Sequence, residues 1–170
     1  MTMARYHLVL YPDEVLRKEA HPVKEIDGAV DDLIRGMREI MYKNNGIGLA
    51  APQVGFLERI VIGDIGDGFF ALINPEILNG DGKASRDEGC LSLPEIRVEV
   101  PRKTKIWVRA WTPEGKEIER EFSGLTARVI QHEVDHLNGR LIIDYATTGQ
   151  RLKFKDKLER LEKMYKFKTL

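Results

Sequence analysis

The sequence has a single cysteine, Cys90, in 170 residues, which excludes an internal disulfide and any disulfide-stapled scaffold. It has no uninterrupted apolar run of roughly 18 residues, the length a helix needs to cross a bilayer. No Pro-, Gly- or Ser-rich linker, internal repeat or low-complexity segment divides it, so a single domain over residues 1–170 is expected. Net charge is missing too: 27 Lys and Arg balance 27 Asp and Glu, which argues against a surface built throughout to hold nucleic acid. Met1 to Leu10 offers only Leu8, Val9 and Leu10 before Pro12 and Asp13, neither a signal-peptide core nor a transit peptide. A cytoplasmic protein with no membrane or DNA partner is therefore expected. With 42% hydrophobic residues the chain can build a sizeable core, and its lone thiol is structural, catalytic or a metal ligand.

The spacing of Leu33, Met37, Ile40 and Met41 predicts a helix from about Asp27 to Asn44, and a shorter helical stretch is expected near Asp13 to Ala20. The middle reads as antiparallel hairpins. Arg59 to Gly63 and Phe69 to Asn74 flank a Gly/Asp-rich turn, and Lys105 to Thr112 and Lys116 to Phe122 flank Pro113, Glu114 and Gly115. The glycines from Gly63 to Gly68 lack the Lys-Ser/Thr ending of a phosphate loop and precede a strand, so they read as a turn. A helix from about Leu125 to Asn138, with Ser123 as N-cap and Gly139 as stop, and a last helix from Gln150 to Lys166 complete an α+β order.

His132, Glu133, Val134, Asp135 and His136 have the form H-E-x-x-H. Four residues are slightly more than one helical turn, so both histidines project from one face and can share an ion. Glu133 lies about 100° around the helix, awkward for ligation but close enough to take a proton beside the ion. Ile130, Val134 and Leu137 form the opposite, core-facing set. A catalytic site with an open position needs a third ligand. The metzincin continuation matches Gly139 but meets Ile142 where a histidine belongs. Glu159 and Glu162 have the range of a thermolysin-like ligand but sit on a basic helix where ion pairing is the simpler role. Cys90 remains, a soft ligand in Glu88 to Pro94, whose Gly and Pro suggest a specially shaped strand end. Taken alone, a lone Cys is more often a buried small hydrophobe.

Three segments together resemble one family. Gly46 to Gln53 matches G-x-G-L-A-A-x-Q, Glu88 to Ser92 matches E-G-C-L-S, and Gln131 to His136 matches Q-H-E-x-D-H, in family order. The family is peptide deformylase, and the length and C-terminal helix resemble its shorter bacterial form. The resemblance implies antiparallel β-sheets packed around a central helix carrying H-E-x-x-H, and hydrolysis of the N-formyl group from the initiator N-formylmethionine of nascent polypeptides, a step of protein biosynthesis. By the same resemblance Cys90, His132 and His136 would bind one divalent metal ion, Fe²⁺ in cells with Zn²⁺, Ni²⁺ or Co²⁺ able to replace it. Glu133 would be the general acid/base, Gln53 and the Leu91 N–H would hold the oxyanion, and Gly48 would accept the substrate main chain.

Specificity is expected from an apolar pocket for methionine, with Ile47, Leu91, Val129 and Ile130 as candidates beside the motifs. A narrow mouth at Gly46 and Gly48 would exclude acetyl, which carries one more methyl than formyl. The tail has a separate character. Residues 150–170 hold eight basic and three acidic residues, a net of +5, so the preceding 149 carry −5. Phe154, Leu158, Leu161 and Tyr165 form a packing stripe, leaving the lysines outward. The resemblance also implies that they meet the ribosome near the exit tunnel. Two competing readings are an H-E-x-x-H metalloendopeptidase, which leaves Cys90 and Gln53 without roles, and a non-catalytic ribosome-associated metal-binding module, which leaves Glu133 without one.

Overall fold

The computed structural model describes residues 6–169, so the first half of the N-terminal stretch assessed for targeting, Met1 to Arg5, lies outside the described residues. The first long helix, α1 (Gly28–Lys43), starts where the Asp27 carboxylate accepts the N–H groups of Ala29 and Val30. Its Leu33, Met37, Ile40 and Met41 are buried against Leu49, Ile60 and Ile62. The strands β1 (Gly48–Ala50), β2 (Ile60–Gly63), β3 (Phe70–Asp81), β6 (Lys105–Trp111) and β7 (Glu117–Ser123) form one antiparallel sheet in the order β1-β2-β3-β6-β7. A second, two-stranded sheet pairs β4 (Ala84–Cys90) with β5 (Leu93–Arg102).

The helix carrying H-E-x-x-H, α2 (Gly124–Leu137), lies on the larger sheet. Its Ala127, Ile130 and Leu137 are buried with Val61, Leu72, Ile106 and Val108. The last helix, α3 (Thr148–Lys168), begins at a Thr147–Gln150 capping box and buries Phe154 and Leu161 against Leu93, Ile96 and Val98 of β5. The expected α+β architecture is therefore present, with antiparallel sheets around a buried helix and a helix at the C-terminal end. Among the described residues no helix is long and apolar enough to cross a membrane.

Two local expectations are corrected, and a third, Ser123 as N-cap, holds in position only. The helix near Asp13 to Ala20 is a single 3-10 turn, Glu14–Arg17. Beyond it the chain is drawn out, where Ala20 N–H donates to the Leu137 carbonyl at the end of α2, an acceptor it shares with Arg59 Nη1. Ser123 stands at the cap position of α2 but makes no capping bond through its hydroxyl. It is still a strand residue, paired with Lys105. Ile130 is fully buried in the core beneath α2 and is not part of a methionine pocket.

Candidate metal centre

Two elements bring the donors together. His132 and His136 lie one turn apart on α2, and Cys90 ends β4, where a register shift between Gly89 and Cys90 turns the chain. The Cys90 Sγ and one ring nitrogen from each histidine all lie within 4.8 Å of one another, and Sγ is 3.3 Å from His136 Nε2. A tetrahedral centre with metal bonds of about 2.0–2.3 Å separates its ligand atoms by about 3.3–3.7 Å, so this donor set fits a transition-metal ion. His132 Nδ1 is 2.9 Å from a Glu88 carboxylate oxygen, which leaves its Nε2 for the ion. Neither Glu159 nor Glu162 is part of the cluster. Glu159 pairs with Lys155, and Glu162 accepts the Tyr11 hydroxyl.

A cleft of about 910 Å³ opens over this centre. Gly46, Ile47, Gly48, Gln53, Cys90, Leu91, Val129, His132 and Glu133 all line it, whereas His136 lies buried below. Gly48 has to be glycine. A Cβ there would stand 2.5 Å from Glu133 Oε1 and 2.6 Å from Val129 Cγ1, a clash with two buried groups. Gln53 is held on both sides, its Oε1 accepting Ala50 N–H at 2.9 Å and its Nε2 donating to Ser92 Oγ at 3.2 Å, with Cys90 Sγ 3.6 Å from the same nitrogen.

Comparison with known proteins decides what this constellation belongs to. Residues 5–152 match the family model described as polypeptide deformylase. The chain also resembles solved peptide deformylases over nearly its full length. That from Legionella pneumophila is 37% identical with a TM-score of 0.87, covering 94% of this chain and 96% of that one. The Thermotoga maritima enzyme is 48% identical with a TM-score of 0.80, covering 82% and 95%. The Synechococcus elongatus enzyme, solved in complex with actinonin, is 36% identical with a TM-score of 0.86, covering 94% and 89%.

The chain belongs to the polypeptide deformylase family. It is a peptide deformylase, a metal-binding hydrolase in which Cys90, His132 and His136 form the metal-site triad. The deformylase places negative charge around His132. Burial alone would lower the His132 pKa, but Glu133, Cys90 and Glu88 outweigh it and raise the value well above the usual imidazole range. This is the environment a divalent cation relieves, displacing the proton from the ligand. Burial, with His132 alongside, pushes His136 well below its ordinary value, so its ring is neutral and available as a ligand. Glu133 is 4% exposed, burial raises its pKa to about 7, and its Oε2 has no hydrogen-bond partner among the described residues.

Beneath the triad lies a network that sequence reasoning missed. Glu88 accepts Arg102 through Nε at 3.0 Å and Nη2 at 2.9 Å, and Arg128 Nη1 at 2.7 Å. Arg102 continues through Nη1 to Asp135 at 2.5 Å and lies over the Tyr145 ring. Gln131, quoted in the motif without a role, joins α2 to the β5–β6 turn by accepting Lys103 N–H and donating to Lys103 C=O. The available signal was Arg128, an arginine four residues before a ligand histidine on an otherwise apolar stretch of helix.

Proposed function

We propose that this deformylase removes the formyl group from N-terminal N-formylmethionine, with residues 1–170 acting as one catalytic unit in the cytoplasm. The observation that carries this reading is the convergence, on one cleft, of the Cys90, His132 and His136 donors with a buried carboxylate that lacks a partner. When bound, the divalent ion supplies the Lewis acidity that activates water and polarises the formyl carbonyl. Glu133 takes the proton from the attacking water and returns it to the departing amine, so formate and a free N-terminus leave. Gln53 Nε2 and the Leu91 N–H donate to the formyl oxygen as its charge grows. The peptide lies along β1, which is the terminal strand of its sheet and presents Gly48 to the cleft. Ile47 and Val129, with Gly46 at the mouth, enclose the methionine side chain.

The test is one peptide in two forms. Formyl-methionyl peptide is expected to release formate, while its acetylated counterpart turns over at least about 10²-fold more slowly, because the extra methyl meets the wall beside Gly48 that already excludes a Cβ. Comparable rates for the two would remove the steric argument.

A thiolate with two imidazoles suits Fe²⁺, Zn²⁺, Ni²⁺ or Co²⁺ rather than Mg²⁺ or Ca²⁺, and Fe²⁺ is proposed as the native ion. Iron-loaded enzyme is expected to lose activity in air while nickel-loaded enzyme keeps it, because oxygen oxidises ferrous iron, and the Cys90 thiolate with it, whereas Ni²⁺ does not react. Equal decay of the two samples would contradict this.

The outward face of α3 is proposed to meet ribosomal RNA near the exit tunnel. Deleting α3 would strip Phe154 and Leu161 from the core, so charge reversal at the exposed Lys155, Lys163 and Lys166 is the cleaner probe. The triple Glu variant is expected to keep peptide activity and to lose ribosome affinity, with a flatter salt dependence in a sedimentation assay. Unchanged affinity at low salt would sink the docking role.

A further inference from the structure

Arg128 has no part in the chemistry above, although it lines the same cleft as the catalytic groups. Its side chain is only 10% exposed, and its donors point into the protein. Nη1 donates to Glu88 Oε1 at 2.7 Å and to the Val100 carbonyl at 2.9 Å, and Nη2 donates to the Ala84 carbonyl at 2.6 Å. One guanidinium on α2 thus holds β4 at its first residue, Ala84, and again at Glu88, and β5 at Val100 near its far end. The same Glu88 carboxylate presents its other oxygen to His132 Nδ1 at 2.9 Å, and His132 follows Arg128 on α2 by four residues.

Arg128, Glu88 and His132 therefore close a loop. Two side chains stacked one turn apart on a helix bind opposite oxygens of one carboxylate from a neighbouring strand. Arg102 grips that carboxylate from β5 through both oxygens, but that grip stays within the β4–β5 sheet. Its own tie to α2 runs through Nη1 to Asp135, so it does not join the helix to the sheet at Glu88. Arg128 does. The distinction matters because the triad is split between these two bodies, with Cys90 on β4 and both histidines on α2.

We propose that Arg128 is a positioning residue of the metal centre, setting the distance of Cys90 from the two histidines and the aim of His132 by clamping Glu88 and the β4–β5 sheet to α2. The inference rests on the Cys90, His132 and His136 triad. Its function is separate from substrate recognition, since the guanidinium is engaged by protein acceptors on the side away from solvent.

Chelator competition for Zn²⁺ and the visible absorption of Co²⁺-loaded protein provide the test, read on the wild type, Arg128→Met and Arg128→Lys. Arg128→Met is expected to bind Zn²⁺ about 10- to 100-fold more weakly and to show altered Co²⁺ bands, with Arg128→Lys recovering part of the loss. In a Glu88→Gln background the Met change is expected to add less than about twofold, because its partner is already weakened. Affinity and spectrum matching the wild type, with only a lower unfolding midpoint or a raised KM, would overturn the proposal, as would an undiminished loss in the Glu88→Gln background. Should Arg128→Met fail to fold, the Lys variant decides on the same two readouts. Failure of the wild type itself to bind one ion would overturn the triad instead, which keeps the two outcomes distinct.

Discussion

Replacing Glu133 by Ala is expected to lower kcat for deformylation on the order of 10²- to 10⁴-fold while one divalent ion stays bound. The first part follows from placement. Glu133 is the carboxylate at the cleft floor beside the triad, and Oε2 is left without a protein partner. The second part follows because Glu133 is not among the three donors that converge. Stability should move the other way. In the metal-free protein burial raises the Glu133 pKa from 4.5 to about 7, so the folded state disfavours the charged form. Its contribution is fully present below pH 4.5 and is lost as pH rises through about 7, a difference on the order of 3 kcal/mol. Metal-free Glu133→Ala should therefore be at least as stable as the wild type at pH 8, an excess that shrinks towards pH 5. Denaturant melts at the two pH values, with kcat and metal content on the same preparations, check all three statements. Loss of the metal together with the rate would make Glu133 a structural group.

Glu88→Ala should be the most destabilising single change around the centre, costing about 3–5 kcal/mol, because it leaves two buried guanidiniums facing each other without their carboxylate. Arg102 and Arg128 are 6% and 8% exposed, so solvent can replace little of what the carboxylate supplies. His132 loses its Nδ1 partner at the same time, and metal affinity should fall about 10- to 100-fold with it. Glu88 also governs the acid limb. Burial raises the Glu88 pKa, but the bonds from His132 and Arg102 more than offset it and hold the carboxyl at about 2, against 4.5 ordinarily. A lowered value means stability that is present above pH 4.5 and disappears as pH falls towards 2, on the order of 3 kcal/mol. Acid melts of the wild type should show this loss and those of Glu88→Gln a shallower one. Parallel curves would show that the carboxylate is not the acid-labile group.

What could be read from the chain and what could not divide along one physical line. Local features were legible. Asp27 and Asn44 bracket α1 to within a residue because capping and stop chemistry act over one turn. H-E-x-x-H declares itself because helical spacing alone puts both histidines on one face. The β4–β5 hairpin was missed although Ile96, Val98 and Val100 alternate inward with Arg97 and Glu99 outward. Its partner strand, Ala84–Cys90, is mostly polar and exposed and carries no alternating apolar signal. The strand from Phe69 was expected to stop at Asn74 but runs on to Asp81 through register shifts that bend it towards β6. Cys90 could be nominated as a ligand only by elimination and by resemblance, since its distance from His136 depends on the bulge at Gly89 and on where the hairpin sits. The Glu88, Arg102 and Arg128 network joins residues 14 and 40 positions apart, a separation no periodicity reports. Sparse cysteine and balanced charge, which exclude so much at first reading, leave the single thiol as part of the centre and the charge balance as a basic tail against an acidic body.

The most direct test of the metal-dependent deformylase account is one preparation purified without oxygen, analysed for bound metal and assayed for formate release from a formyl-methionyl peptide. The account predicts one equivalent of a divalent transition metal, one formate per free amine formed, and loss of both metal and turnover in Cys90→Ala. A protein holding its full equivalent of metal that releases no formate, or that cuts an internal peptide bond instead, would contradict it.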